Sequence, residues 1–344
     1  MMMFGVLGAG VIGQLRAQTV VSHPSTALAC VCDTDSAAAR RAAARTGARV
    51  ETDWRRVVSA PDVGAVIVST PVQLHEEMCV AALEAGKHVL CEKPLSASVD
   101  GCRRIVAAAR RAGRALAVGF NHRFYPAMQF VKRVVDEGRI GTLDHLRVFG
   151  GHDGLHNFRA EWMYRSAISG GGAMMDVGIH MTDLTRYIAG EIKDVYAVAS
   201  GRVWGVEGSE DNAVAILRTT SGLPVRFHAT WNEWRGYRVA VEAYGDRGMV
   251  LGSYAPMFNL LITQDRPGAR RRRTVRLYPD IILREKVRGW QTTTRRTFER
   301  ELADFLAMAD GKTVDLADGL AGLRAVEIAQ AVYRSQASGG VVAV

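Results

Sequence analysis

Three side chains have types and positions suited to proton transfer at an alcohol: Lys93, Asp176 and His180. A neutral imidazole accepts protons well near neutral pH because its reference pKa is about 6.5. A carboxylate can fix the tautomer of such a ring or bind a neighbouring hydroxyl, and an ammonium can stabilise negative charge on a reacting oxygen. We therefore predict His180 as the base, Asp176 as the orienting group and Lys93 as the donor to the reacting oxygen.

The elements that carry these residues must present them to a ligand. Lys93 follows the apolar run His88–Cys91, which predicts a strand, and open parallel sheets bind ligands at the carboxyl ends of their strands. Asp176 and His180 are four residues apart after three glycines, so a helix places both on one face. Taken alone, such a pair is more often a structural hydrogen bond or half of a metal site. No third ligand stands at metal spacing, and we predict no metal.

A glycine motif near the start of the chain predicts a dinucleotide site. Gly8-Ala9-Gly10-Val11-Ile12-Gly13 follows an apolar run and precedes a helical pattern. Its glycines permit a tight turn, close approach of a pyrophosphate to the backbone, and tight packing of helix on strand. Asp33, twenty residues after Gly13, would accept hydrogen bonds from ribose hydroxyls and, with Asp35, would repel a 2′-phosphate. The sequence therefore predicts NAD as the cofactor.

The hydrophobic pattern predicts an α/β fold with two domains. Over residues 1–122, short apolar strands alternate with alanine-rich helices, which is typical of a Rossmann domain. Residues 123–344 are predicted to form an α+β domain with an antiparallel sheet, whose C-terminal helix can pack back on the first domain. The predicted strands are Phe4–Leu7, Leu28–Cys32, Ala65–Ser69, His88–Cys91, Leu116–Val118, and segments near 143, 195–204, 212–219, 224–232, 237–244, 257–263 and 341–344; the later helices are near 125–137, 173–188, 292–309 and 318–335.

Four motifs together resemble the Gfo/Idh/MocA oxidoreductases. They are the glycine motif at 8–13, Glu92-Lys93-Pro94, the segment 119–124, and Gly170-Gly171-Gly172-x-x-x-Asp176-x-Gly178-x-His180. The resemblance covers residues 3–190 by motif. It implies a Rossmann domain, a second domain with a large, mostly antiparallel open sheet, and homodimers or homotetramers formed through that sheet. It also implies a carbohydrate-like substrate and a catalytic group of Lys93, Asp176 and His180.

The motifs and the resemblance define two sets of candidate binding residues. One departure from the family pattern is Val72, which stands after Ser69-Thr70-Pro71 where the family often has Asn. The predicted cofactor-binding residues are Gly8, Gly10, Val11, Ile12, Gly13, Asp33, Thr34, Ser69, Thr70, Pro71, His75, Glu92, Lys93 and Asn121. The predicted substrate-binding residues are Lys93, Asn121, Arg123, His152, Trp162, Asp176 and His180.

Composition and charge limit the class of protein. Of 344 residues 48% are hydrophobic, but no apolar run reaches the roughly 18 residues of a membrane span, and the N-terminus lacks a basic leader. Five cysteines without CxxC spacing predict reduced, packed thiols and a cytoplasmic location. The net charge of +9 comes from residues 266–300. Within this region the basic arm, Arg266–Arg276, predicts an exposed or subunit-contacting hairpin. An anionic ligand and nucleic acid are weaker alternatives, and nucleic acid is disfavoured because aromatic residues are not interleaved with the arginines.

The leading functional hypothesis is an NAD-dependent dehydrogenase that oxidises a secondary hydroxyl of a sugar, cyclitol or amino sugar. The alanine- and arginine-rich composition suggests a high-GC bacterium, in which the family that this chain resembles also serves antibiotic pathways. One alternative is an NAD-dependent glycosidase that oxidises its substrate transiently. Another is a non-catalytic sensor that binds NAD, or a nucleic-acid partner that uses the basic arm.

Overall fold

The computed structural model of the protein describes residues 1–154, 161–266 and 268–344. Contacts divide them into two compact units, of which the first comprises Met1–Asn121 and Arg288–Arg324, and the second His122–Val287 and Ala325–Val344. The predicted boundary at 122/123 is thus adjacent to the observed division. Residues 288–324 cluster with the first unit, so the second unit consists of two segments where we predicted one continuous run over 123–344.

The first unit contains a parallel sheet of six strands within the described residues, in the order β3-β2-β1-β4-β5-β6. Its central strands are almost wholly buried, as their continuous apolar sequences predict. The strands are β1 (Met2–Leu7), β2 (Thr26–Cys32), β3 (Arg49–Glu51), β4 (Ala65–Val68), β5 (His88–Cys91) and β6 (Leu116–Val118). The helices are α1 (Val11–Ser22), α2 (Ser36–Ala43), α3 (Trp54–Ser59), α4 (His75–Glu84), α5 (Val99–Ala112) and, from the later segment, α10 (Gln291–Ala309).

The second unit is organised on a sheet of nine described strands in the order β14-β13-β12-β11-β7-β10-β9-β8-β15. Strands β7 and β10 pair in parallel and the other neighbours pair antiparallel, which confirms a mostly antiparallel sheet. The strands are β7 (Leu143–Gly151), β8 (Ile192–Ser200), β9 (Asn212–Thr219), β10 (Pro224–Thr230), β11 (Arg238–Gly245), β12 (Gly248–Tyr254), β13 (Phe258–Thr263), β14 (Arg272–Leu277) and β15 (Val342–Ala343). The helices are α6 (Pro126–Asp136), α7 (Ser166–Ser169), α8 (Ile179–Ala189) and α9 (Pro279–Arg288), with α11 (Gly319–Ser338) contributing its later residues.

The two faces of this second sheet differ in exposure. Residues alternate along β9, so that Ala213, Ala215 and Leu217 are buried while Val214 and Ile216 are 41% and 50% exposed. The neighbouring strand β8 exposes Tyr196 and Val198 on the same side, as its register with β9 requires. One face therefore packs on helices, and the other presents apolar side chains to solvent.

The sequence pattern did not predict strands β3 and β12 or helices α7 and α9. Strand β3 is only three residues long and carries two charges, Arg49 and Glu51. Strand β12 contains Gly252, where a Cβ atom would lie 2.7 Å from Val131 of α6, so close helix packing explains the glycine that weakens its strand signal. Helix α9 follows the arginine-rich strand β14, and the sequence analysis predicted no helix there. The basic arm forms the predicted hairpin, with β13 and β14 paired antiparallel; Pro267, predicted in its turn, lies outside the described residues.

The five cysteines are all buried and none is in a disulfide bond, as predicted. In the described parts of the chain, no helix combines the length and hydrophobicity needed to cross a membrane. The same ranges contain no cluster of three or more His, Cys, Asp or Glu side chains suited to a metal ion.

Candidate active site

The glycine loop of the first unit has the geometry that a dinucleotide requires. Gly8 has a φ of +90°, and a Cβ atom on it would lie 2.6 Å from the carbonyl oxygen of Ser69. A Cβ atom on Gly13 would lie 1.9 Å from the carbonyl oxygen of Gly8, so only glycine permits the helix to start here. Gly10, in contrast, faces open space and Val11 beside it is 47% exposed. The N-terminus of α1 is therefore accessible to a phosphate group.

Asp33, at the end of β2, lies against this loop. Its Oδ2 accepts a hydrogen bond of 2.6 Å from the amide of Ala9, and its Oδ1 accepts one of 2.9 Å from the amide of Asp35. Asp35 itself caps helix α2, because its Oδ1 accepts the amide proton of Ala37 at 2.8 Å. Thr34 between them is exposed. A negative charge is thus fixed beside the glycine loop, where a ribose would be bound in a Rossmann fold.

The segment after β4 lies beside the loop and contains the second group of predicted cofactor residues. Among the described residues, the buried Ser69 hydroxyl has no hydrogen-bond partner, so a ligand could supply one. Together with the open space at Gly10, this fits a bound dinucleotide. Val72, at the position that departs from the family pattern, is buried in a 3₁₀ turn.

His75 has a structural place in this unit. Its ring is buried, with Nδ1 at 2.9 Å from the carbonyl oxygen of Pro94 and Nε2 at 2.9 Å from that of Thr70. Burial lowers the pKa of this imidazole. The neutral ring carries one N–H and donates to one of these two carbonyl oxygens, so His75 links the loop after β4 or the loop after β5 to its helix according to the tautomer. The predicted contact of His75 with the cofactor stays a prediction.

Glu92, next to Lys93, takes part in a buried charge cluster. Arg16 of α1 donates from Nε to Oε1 of Glu92 at 2.7 Å and also pairs with Glu301 of α10. Burial opposes the charge of Arg16, but the two carboxylates raise its pKa above the ordinary value. The ring of Phe298 lies 3.5 Å from the guanidinium carbon. The cluster thus fixes the residue immediately before Lys93 against two helices.

Asn121 was predicted to contact cofactor and substrate. Its Nδ2 donates to the hydroxyl of Thr297 on α10 at 3.1 Å, and its side chain is buried. The observed hydrogen bond attaches the end of the first segment to the helix that follows much later in the chain.

In the second unit, Asp176 and His180 lie on the predicted helix, but its first turn is not α-helical. Met174–Gly178 form a π-helical turn, and α8 continues from Ile179. A wider turn changes the alignment of residues four apart, so the prediction of a regular α-helix over 173–188 was wrong at its start. Such turns are frequent at functional sites.

Glu210 explains how the start of this helix is held. Its Oε2 accepts the amide proton of Gly172 at 2.9 Å, and its Oε1 accepts that of Met174 at 2.7 Å and the hydroxyl proton of Tyr333 at 3.1 Å. Burial raises the pKa of Glu210, against the effect of these donors. A Cβ atom on Gly171 would lie 2.0 Å from the Tyr333 hydroxyl oxygen. A Cβ atom on Gly172 would lie 1.9 Å from the backbone carbonyl oxygen of Glu210, so the approach of Glu210 and Tyr333 requires glycine at both 171 and 172.

Asp176 is held by two donors from neighbouring strands. His152, at the end of β7, accepts the amide proton of Gly154 at its Nδ1 (3.1 Å), so its Nε2 carries the proton of the neutral ring. That Nε2 lies 2.9 Å from Oδ2 of Asp176, and the indole nitrogen of Trp231 donates to the same oxygen at 3.1 Å. Predicted residues His152 and Asp176 are thus brought together.

His180 has a different neighbour. Its imidazole stacks on that of His122, with ring centroids 3.8 Å apart and planes inclined by 16°. The hydroxyl of Tyr237 lies 3.0 Å from Nε2 of His122. Burial raises the pKa of Tyr237 well above its usual value, so the phenol remains protonated. Both histidine rings are almost completely buried.

The remaining predicted substrate residues have other surroundings. Arg123 donates from Nε and Nη2 to the two carboxylate oxygens of Asp183 on α8, at 2.7 and 2.6 Å, and both side chains are buried. This bidentate pair stabilises the helix that carries His180, and the predicted contact of Arg123 with a substrate hydroxyl stays a prediction. Trp162 lies half-buried in the short turn Glu161–Tyr164.

Sequence reasoning missed Glu210, Trp231, Tyr237 and His122. Trp231 and Tyr237 border the connection between β10 and β11, and no spacing in the sequence links them to a helix fifty residues earlier. His122 belongs to the segment 119–124 that carried part of the resemblance, but its own ring chemistry was not considered.

Comparison with known proteins agrees with this geometry. A family model described as an oxidoreductase family with an NAD-binding Rossmann fold matches residues 2–120, and a model of the GFO/IDH/MocA C-terminal domain matches residues 128–251. Inositol 2-dehydrogenase 2 of Saccharopolyspora erythraea is 34% identical over 254 residues, which cover 72% of each chain.

Two solved structures extend the similarity to the whole chain. Levoglucosan dehydrogenase in complex with NADH and L-sorbose has a TM-score of 0.88 at 25% identity, covering 100% of this chain and 98% of that one. GenD2 from gentamicin A biosynthesis, in complex with NAD, has a TM-score of 0.83 at 26% identity and covers 100% and 96%. With the two matched family models, these similarities show that the chain belongs to the Gfo/Idh/MocA family of NAD-binding oxidoreductases.

Proposed function

We propose that the protein oxidises a secondary hydroxyl of a sugar, cyclitol or amino sugar, with Lys93, Asp176 and His180 as its catalytic residues. The observation that carries this proposal is the fixed position of Asp176, whose Oδ2 is held by His152 and Trp231 on the helix that also carries His180. A carboxylate and an imidazole presented in this way match the needs of an alcohol that must lose a proton.

Each of the three proposed catalytic residues has its own part in the reaction. His180 accepts the hydroxyl proton as the C–O bond gains double-bond character, and Lys93 donates a hydrogen bond to the reacting oxygen. Asp176, already oriented by its two donors, binds an adjacent hydroxyl and thereby positions the ring of the substrate. Bound NAD supplies the acceptor for the hydride that leaves carbon. Glu92 and Arg16 hold the loop that presents Lys93.

The substrate class is supported by the names of similar proteins. Levoglucosan and inositol dehydrogenases act on polyhydroxylated rings, and GenD2 belongs to an aminoglycoside pathway. A carboxylate, a neutral imidazole and an ammonium provide both acceptors and donors for several neighbouring hydroxyl or amino groups. We therefore propose polyhydroxylated or aminated rings as substrates, including intermediates of antibiotic biosynthesis.

The test is a substrate panel with NAD, read as NADH absorbance at 340 nm. Cyclitols, free sugars, anhydrosugars, nucleotide sugars and aminoglycosides cover the proposed class. Stoichiometric NADH formation with at least one of them is expected. Bond cleavage without accumulation of NADH would instead indicate a redox-assisted glycosidase, and inactivity on the whole panel would argue against the proposed reaction.

We also propose that the open face of the second sheet joins protomers into a homodimer or homotetramer. The support is the cluster of exposed apolar side chains on β8 and β9: Tyr196, Val198, Val214 and Ile216. Such a contiguous apolar surface is seldom left in water and commonly marks a protein interface. Light scattering at micromolar concentration should give a mass above 37.4 kDa.

A further inference from the structure

Glu210 binds the backbone of the segment that leads to Asp176 at three consecutive amides. Its carboxylate accepts the amide protons of Gly172 and Met174, at 2.9 and 2.7 Å. Its backbone carbonyl oxygen accepts the amide proton of Ala173, which lies between them, at 2.8 Å. A helix cannot satisfy its first amides by itself, so this one residue supplies acceptors that the start of the helix lacks.

Gly172 connects these contacts directly to Asp176. The carbonyl oxygen of Gly172 accepts the amide proton of Asp176 at 3.1 Å. The backbones of Gly172 and Glu210 approach so closely that a Cβ atom on the glycine would lie 1.9 Å from the carbonyl oxygen of Glu210. The peptide groups around Gly172 therefore have little freedom to move. Consequently the position of Glu210 determines where the backbone of Asp176 lies.

The residue after Glu210 holds a donor to the Asp176 carboxylate. The backbone carbonyl oxygen of Asp211 accepts the amide proton of Trp231 at 2.7 Å, and the Asp211 side chain accepts a hydrogen bond from Asn232 at 3.1 Å. Trp231 in turn donates from its indole to Oδ2 of Asp176 at 3.1 Å. Two adjacent residues just before β9 thus hold the backbone of Asp176 on one side and a donor to its carboxylate on the other.

The donors around Glu210 require a carboxylate at this position. Burial raises the pKa of Tyr333 well above its usual value, so the phenol keeps its proton and donates to Oε1. Each carboxylate oxygen therefore faces at least one N–H or O–H group. In Glu210→Gln the amide oxygen can serve Met174 and Tyr333, but the NH2 group then meets the amide proton of Gly172. The substitution thus disturbs the contact that leads to Asp176.

We propose that Glu210 is a positioning residue for Asp176: through Gly172 it sets the distance between the Asp176 carboxylate and the indole of Trp231. The inference rests on the proposed function only where it assigns substrate binding to Asp176. A displaced carboxylate binds the adjacent hydroxyl of the substrate less well, because hydrogen bonds weaken with distance and misalignment. Glu210 thereby contributes to substrate affinity without contacting the substrate.

The first test needs no substrate. Spectra of deuterated protein with 15N-labelled tryptophan resolve the indole N–H signals of the six tryptophans, and Trp231→Phe identifies the signal of Trp231. Glu210→Gln should move this proton signal upfield, in the direction in which Asp176→Asn also moves it, because the hydrogen bond to the carboxylate lengthens. An unchanged Trp231 signal in folded Glu210→Gln would overturn the proposal.

The second test is steady-state kinetics at pH 8 with a substrate found in the panel. In Glu210→Gln, kcat/KM for the alcohol should fall about tenfold and mainly through KM, as expected when a charge-assisted hydrogen bond is weakened. The KM of NAD should change less than twofold. The loss should be much smaller in the Asp176→Asn background. A lower kcat with an unchanged KM for the alcohol would mean only fewer active molecules and would contradict the proposal.

Tyr333→Phe is the matched control. It removes the third donor to the same carboxylate but leaves both amide contacts of Glu210 in place, so it should lower the melting temperature without moving the Trp231 signal or KM. Equal changes of signal and KM in both variants would indicate a general loss of stability and would also overturn the proposal. If Glu210→Gln does not fold, Glu210→Asp takes its place, because it keeps the charge but is one methylene group shorter.

Failure of this proposal can be told apart from failure of the proposed function. A shifted Trp231 signal in Glu210→Gln, with wild type inactive on the whole panel, would support the position assigned to Glu210 and would argue against the proposed reaction alone. An active wild type whose Trp231 signal does not depend on Glu210 would have the opposite meaning.

Discussion

Trp231→Phe tests how the enzyme orients its carboxylate. The substitution keeps an aromatic ring at a fully buried position but removes the indole N–H that donates to Oδ2 of Asp176 at 3.1 Å. A hydrogen bond to a charged group contributes about 1.5–3 kcal/mol. Because His152 still donates to the same oxygen at 2.9 Å, we expect the lower part of this range.

About 1.4 kcal/mol corresponds to a factor of ten, so kcat/KM should fall about tenfold if Asp176 binds substrate in the transition state. The loss of ring volume also lowers the free energy of unfolding, by about 1–2 kcal/mol, and activity is therefore measured well below the melting temperature. Trp204→Phe is the matched control: its indole N–H donates to the backbone carbonyl of Trp231 at 3.1 Å and not to a carboxylate.

A double-mutant cycle with Asp176→Asn decides the origin of the effect. Trp231→Phe should cost about tenfold in the wild-type background and much less in the Asp176→Asn background, because the charge-assisted bond has already been lost there. An equal loss in both backgrounds, with folded proteins, would refute the reasoning that Trp231 acts through Asp176.

Three further predictions address the cofactor, the lysine and the sheet. Lys93→Ala should lower kcat by about a hundredfold with little change in the Kd of NAD, and Lys93→Arg should not restore it; unchanged turnover of either variant would exclude Lys93 from the chemistry. Wild type should prefer NAD over NADP at least about tenfold in kcat/KM, and Asp33→Ser combined with Thr34→Arg should move this preference toward NADP; equal use of both cofactors by wild type would contradict the role of Asp33. Ile216→Glu should convert the oligomer to monomers in light scattering, whereas Val21→Glu, at a residue 49% exposed on α1, should not; monomers of the wild type would exclude the interface.

The sequence predicted the elements whose local pattern is unambiguous. Strands β5 and β6 have the bounds that their apolar runs indicate, and the glycine motif begins α1 as expected. Asp33 also lies beside the glycine loop, because the Rossmann motif fixes both the spacing and the turn. Local sequence was sufficient where one short motif determines both the backbone conformation and the position of the side chain.

Partners from distant segments could not be predicted in this way. Asp183, sixty residues later in the chain, binds the guanidinium of Arg123, and no sequence pattern links the two residues. His75 similarly lies between two backbone carbonyl oxygens, one of which accepts its N–H, and no sequence pattern reveals either of them. The π-helical turn before His180 was also beyond prediction from local sequence. Its first amides donate to Glu210, which comes from a later loop. In each case a polar side chain was satisfied by a group that only tertiary folding brings near.

The hydrogen bond between Tyr333 and Glu210 has a consequence for the order in which parts of the protein fold during synthesis. The two residues are 123 positions apart, and Tyr333 lies in α11, which leaves the ribosome after α1 to α10. Arg16 and Glu301, 285 positions apart, show the same arrangement in the first unit. Contacts over such separations form late, because long loops must close first. Both the loop before Lys93 and the helix of His180 therefore acquire these contacts only after α10 and α11 have been synthesised, and a nascent chain that does not yet contain α11 should not be active.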